Sequence, residues 1–187
     1  MTRNTGPQDG VRLEVWFDFA YPWCFIAERR VRRGLERASV HADAVRWGPV
    51  QLHPDVPSHA VPFLPFMQRM FGLQTIMQRA FNEVTDAGAE EGLQLRLDMI
   101  DTEVNTMDAH RLILWAVDER GNETGLSLTE LLFSYRFEQG KDIGNYRYSR
   151  RLRLRLDLMK LLQPNSCSEM RSKLRSETRP RTPSSKI

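Results

Sequence analysis

The sequence predicts an α/β fold: a βαβ unit at the N-terminal end, followed by a long helical block. Three observations carry this. Residues 11–19 are a β-branched and aromatic run, with Val11, Val15, Trp16, Phe17 and Phe19, the composition of a buried strand. Residues 25–38 carry helical periodicity with Arg and Glu on the outer face, and residues 42–52 return to strand character at Val45, Trp47 and Val50. Residues 60–140 then read as almost wholly helical, opening with apolar side chains at three- and four-residue spacing over 63–81.

In chain order, Tyr21-Pro22 breaks the first strand, and Pro22 suits the first turn of a helix, where its missing N–H is no loss. Cys24 therefore falls at a helix N-terminus, where exposed N–H groups and the helix dipole favour a thiolate. After the second strand, residues 51–57 form a turn-rich exit. Phe63, Phe66, Met67, Met70, Phe71, Gln74, Met77 and Phe81 then make one stripe, read as core or as an adaptable apolar wall over a site. Residues 85–92 predict a short polar helix ended by Gly92. Alternating Leu95, Leu97 and Met99 give 93–104 an extended reading. Asn105-Thr106 opens a helix whose face holds Ala109, Leu112, Ile113, Ala116 and Val117, and Gly121 stops it. Ser127 and Glu130 form a capping-box pattern that predicts a further helix start, running through Tyr135 to Gly140.

Composition bounds the function. No run of ~18 apolar residues exists, which argues against a membrane span, and the polar first ten residues lack the apolar centre of a signal peptide. With two cysteines, Cys24 and Cys167, there is no disulfide framework, so a cytoplasmic, reducing setting is expected. The net charge of +3 hides a split. Residues 1–145 hold 15 Lys+Arg against 21 Asp+Glu, a net of −6, and residues 146–187 hold 12 against 3, a net of +9. Such a basic tail can signal nucleic acid or an anionic membrane, but nucleic acid is not the reading adopted. Residues 151–158 alternate Arg with Leu at strand period, and from Pro164 onward the composition predicts disorder. His41, His53 and His59 have no metal-ligand spacing, so no metal site is expected, and no Gly-rich phosphate loop is present.

Asp18-Phe-Ala-Tyr-Pro-Trp-Cys-Phe-Ile26 resembles the active-site segment of DsbA-like thioredoxin-fold oxidoreductases of the FrnE branch, which read Cys-Pro-Trp-Cys here. Two further segments agree, Asn105 to Leu112 and Leu132 to Ile143. The resemblance implies a thioredoxin-like fold with a large helical insertion. Residues 11–57 would be the N-terminal βαβ half and 58–145 the insertion, with 146–187 an atypical, mostly disordered basic tail. The family's cis-proline loop and closing strands are not recognisable after residue 145, so the C-terminal half of the sheet is expected to be missing or replaced. An out-of-frame or truncated ending is the reading of that change, and self-association through an unpaired first strand is its expected consequence.

By the same resemblance the catalytic positions are Tyr21 and Cys24, with Pro22 and Trp23 forming the turn between them. The first motif cysteine is Tyr21, so the two-cysteine cycle is closed and impaired dithiol chemistry is expected. Cys24 stands as an inert buried residue, as a single thiol exchanging with protein thiols, disulfides or glutathione, or as a peroxide sensor. Related 2-hydroxychromene-2-carboxylate isomerases and kappa-class glutathione transferases carry Ser at the first position. A hydroxyl there hydrogen-bonds the glutathione sulfur, which Tyr21 could do, so glutathione is the one cofactor expected, bound loosely. A non-catalytic interaction module is the third reading. Asn105 and His110 are the candidate substrate contacts, with capping or packing as the alternative role of His110.

Overall fold

The computed structural model describes residues 13–41 and 44–144. β1 (Leu13–Phe17) pairs in parallel with β2 (Val45–Pro49), with Val15 opposite Trp47, and α1 (Pro22–Ala38) makes the crossover between them. This is the expected βαβ unit, trimmed at its ends. β1 stops at Phe17, whose carbonyl still accepts the Val50 N–H at 3.0 Å. Beyond it Asp18, Phe19 and Ala20 leave the ladder yet stay buried.

Those residues stay buried because the core is aromatic and lies over the end of β1. Phe17, Phe19 and Phe25 of the βαβ unit converge on Phe133 of α5 (Asn122–Phe137), with ring centroids 5.8, 4.8 and 5.3 Å away. Phe133 also stacks on Phe137 at 6.2 Å, and Phe19, Phe25 and Phe133 are fully buried. Each such ring removed from water contributes about 1.5–3 kcal/mol before conformational entropy is counted. At the outer edge Glu130 of α5 meets Arg29 of α1 at 3.1 Å, so α5 is tied to α1 by charge as well as by rings.

The helical block departs from the sequence reading in three places. The single apolar stripe is two helices, α2 (Phe63–Phe71) and α3 (Gln74–Glu90), because Gly72 takes φ 73°, a conformation that interrupts the helix. The polar helix expected over 85–92 is the last stretch of α3, which ends as expected before Gly92, also at positive φ. The extended segment read over 93–104 becomes a 3-10 turn at Leu97–Met99 and then β4 (Thr102–Glu103), antiparallel to β3 (Val61–Pro62). Alternating burial of Leu93, Leu95 and Leu97 explains the strand-like pattern: an irregular segment laid along α3 buries every second side chain too.

A buried ion pair closes this region. Arg136 of α5 donates from Nη2 to Glu103 at 2.7 Å and from Nη1 to the Thr102 carbonyl at 2.6 Å, both side chains being almost wholly inaccessible. Burial pushes the Glu103 carboxyl up to about 7 against the pull of Arg136, and burial likewise lowers the Arg136 guanidinium. Removing either partner would strand a buried charge.

α4 (Met107–Arg120) ends at Gly121, where φ is 83°, and α5 begins at the next residue. Ser127 is therefore in mid-helix and its capping-box pattern with Glu130 does not start α5. Glu130 instead faces the arginines of α1. α5 ends near Gly140, whose φ of 63° turns the chain against Met99. The strand and disorder expected beyond residue 145, the replaced half of the sheet and Cys167 fall outside the described residues.

Candidate functional site around Asp18 and Cys24

Three segments meet at one carboxylate. Asp18, at the end of β1, accepts the Leu52 N–H at 2.7 Å and the Ala20 N–H at 3.3 Å, and lies 3.2 Å from Nε2 of His110. Thr106 adds a side-chain hydrogen bond. The β1–α1 turn, the loop after β2 and the start of α4 are thereby fixed to one another. Burial opposes ionisation of Asp18, but hydrogen bonds from His110, Leu52 and Thr106 outweigh it and hold the carboxyl below its ordinary value. An ionised carboxylate only accepts hydrogen bonds, so Nε2 of His110 carries the proton.

His110 is 2% exposed and packs between the rings of Phe17 and Phe19, with centroids at 5.5 and 5.1 Å. It lies in the core, held against Asp18. Asn105 is half-buried and also engaged. Its Nδ2 donates to the Val56 carbonyl at 2.6 Å, and its Oδ1 accepts from Gln51 Nε2 and from the Met107 N–H, each at 3.0 Å. It caps the approach to α4 and clamps the loop after β2.

Tyr21 occupies the position just before α1 in extended backbone and is 47% exposed. Pro22 takes the first helical position, Trp23 follows with its ring at the surface, and Cys24 comes third, its N–H donating to the Tyr21 carbonyl at 2.9 Å. Cys24 is half-buried and free. Burial pushes its thiol up; the Asp18 backbone N–H works against this and the Asp18 charge adds to it. The thiolate expected at a helix N-terminus is therefore not favoured here, because burial disfavours the anion and the Asp18 charge adds to it.

Asp18 is the residue that sequence reasoning missed. Its signal was present: a carboxylate between Phe17 and Phe19 in an otherwise apolar run must be exposed or paired. Its partner, His110, is 92 positions away. Among the described residues no group of three or more His, Cys, Asp or Glu is placed to hold a metal, and no helix is long and apolar enough to cross a membrane.

A parallel βαβ unit whose turn presents a Pro-Trp-Cys sequence at the start of α1, packed against a block of helices, is the arrangement of a thioredoxin-like protein. The profile of the DSBA-like thioredoxin domain matches residues 12–156, and the chain belongs to that family. Among solved structures it is similar to a probable DsbA oxidoreductase from Streptomyces coelicolor, at 25% identity and a TM-score of 0.62. That match covers 75% of this chain and 60% of the other, so the chain spans about three fifths of that protein's length. No curated protein matches.

Proposed function

We propose that this protein is a single-thiol member of the DSBA-like family, of the FrnE branch, which exchanges with protein disulfides or glutathione through Cys24 and lacks the two-cysteine cycle. The observation that carries this is Tyr21, exposed on the turn where the family reads its attacking cysteine, with Cys24 half-shielded behind it. In the reaction, the Cys24 thiolate attacks one sulfur of a disulfide. That S–S bond breaks, a bond from Cys24 to the attacked sulfur forms, and the other sulfur leaves as a thiolate. Release requires a second thiol from solution, because no residue of the turn supplies one. With the thiol pushed up by burial, the thiolate fraction at neutral pH is small and exchange is slow. The low cysteine count supports a reducing, cytoplasmic setting for this chemistry.

Intact-mass spectrometry after treatment with glutathione disulfide, together with an insulin-reduction assay, tests the reading. A slow single adduct on Cys24 with insulin turnover at background is the expected pair of results. Rapid insulin turnover would overturn it. A second reading draws on the exposure of the Tyr21 side chain, whose hydroxyl would then hold the sulfur of reduced glutathione, as in the related isomerases and kappa-class transferases. It requires tight binding of reduced glutathione, no adduct, and loss of that binding in Tyr21→Phe. If neither adduct nor binding occurs, the chain acts as a non-catalytic interaction module.

A further inference from the structure

Away from the turn, the helical block holds a cleft of about 670 Å³ between α2, α3 and the segment 95–101. None of Asp18, Tyr21, Cys24, Asn105 or His110 lines it. Its size lies in the range of small-molecule sites, about 300–1,000 Å³. The cleft exists because one face of α3, from Gln74 to Thr85, is only partly covered by α2. The 3-10 turn at Leu97–Met99 stands off on the other side.

The lining is of two kinds. Its floor is apolar: Phe63, Met77, Leu97 and Ile100 are buried, and the Phe63 and Phe81 rings lie nearly parallel, 21° apart with centroids 6.0 Å apart. Phe and Met side chains together make a flat, polarisable wall suited to an aromatic body. Its rim is polar and one-signed. Asp98 and Asp101 line it, and no Lys, Arg or His does. Asp98 is matched by Arg96 at 2.8 Å, whereas Asp101 has no ion pair among the described residues. Gln78 donates to Asn82 at 3.0 Å, and both residues line the cleft.

We propose that this cleft binds a small aromatic amine, the ring on the Phe63–Phe81 wall and the ammonium beside Asp101. The two nearby cations are already matched, Arg96 by Asp98 and Arg136, which lies over the Phe63 ring, by Glu103. Among the described residues the Asp101 carboxylate is therefore the unmatched charge, and it selects among ligands that the floor alone accepts equally.

Three probes sharing one ring system test this on the full chain: naphthylethylamine, naphthylethanol and naphthylacetate, measured by ligand-observed NMR titration. The amine should bind tightest and the acetate weakest. Asp101→Asn, an exposed substitution, should weaken the amine by about two- to fivefold, the range for an exposed charge pair, and leave the alcohol unchanged. Gln78→Lys, also exposed, should invert the preference toward the acetate, with an unchanged melting curve confirming the fold. Equal affinity for amine and acetate, no binding of the amine, or insensitivity of the amine to both variants would each overturn the proposal. Cys24→Ser should change none of these affinities, which separates this site from the thiol chemistry proposed above.

Discussion

Replacing Asp18 by alanine should be among the most damaging single changes in the described fold. The carboxylate satisfies the Leu52 N–H, the Ala20 N–H and His110, with Thr106 as a fourth partner. His110 is buried and its Nδ1 already lacks a hydrogen-bond partner among the described residues, so the loss leaves that ring with neither nitrogen satisfied. Each stranded buried group costs about 1–3 kcal/mol, and non-additivity brings the whole to about 3–5 kcal/mol, the cost of breaking a buried charged pair. Asp18→Asn keeps one acceptor but turns an amide donor toward a second donor, and should cost about 2 kcal/mol. Urea unfolding followed by circular dichroism measures both. With m of about 2 kcal/mol/M, Asp18→Ala should lower the midpoint by about 2 M. Because the native carboxyl is held below its ordinary value, its charge stabilises the fold above the unfolded pKa of about 3.9. That contribution is lost as pH falls through the lower, folded value. The gap between wild type and Asp18→Asn should therefore close on acidification. A cost below about 1 kcal/mol for Asp18→Ala would refute the reasoning.

Other changes separate core, turn and chemistry. Phe133→Ala removes the ring on which Phe17, Phe19, Phe25 and Phe137 converge, and should lose about 3–5 kcal/mol in the same urea assay. Gly140→Ala puts a Cβ onto the Met99 carbonyl at a φ of 63° and should cost about 2 kcal/mol or more, read as a lowered thermal midpoint. Tyr21→Cys rebuilds Cys-Pro-Trp-Cys and should form an intramolecular disulfide with Cys24, visible by mass as the loss of two hydrogens. Insulin turnover by that variant should nevertheless stay near background, because the turn alone does not supply the loop that holds a substrate chain.

The N-terminal unit was legible because its signals are local. Strand composition, Pro22 at the first helical position and strand character again near Val45 dictate βαβ without reference to distant residues. The helical block was legible in type but not in boundaries. Gly72 splits one stripe into two helices, and Gly121 joins two helices so closely that no cap at Ser127 is needed. What stayed hidden is pairwise and long-range. Asp18 with His110, and Glu103 with Arg136, are polar residues whose burial depends on partners 92 and 33 positions away. The state of Cys24 is of the same kind: helix position argued for a thiolate, and burial beside Asp18, a tertiary fact, reverses it.

The central claim is that this chain keeps the family's turn without an activated thiol. The pH dependence of Cys24 alkylation by iodoacetamide, followed by peptide mass spectrometry at that residue, tests it most directly. The rate should rise with a midpoint above ~8.5, the ordinary value for a free cysteine, and the midpoint should fall in Asp18→Asn as the neighbouring charge is removed. A wild-type midpoint within about 3.5–7.5, the range of activated cysteines, would contradict the account.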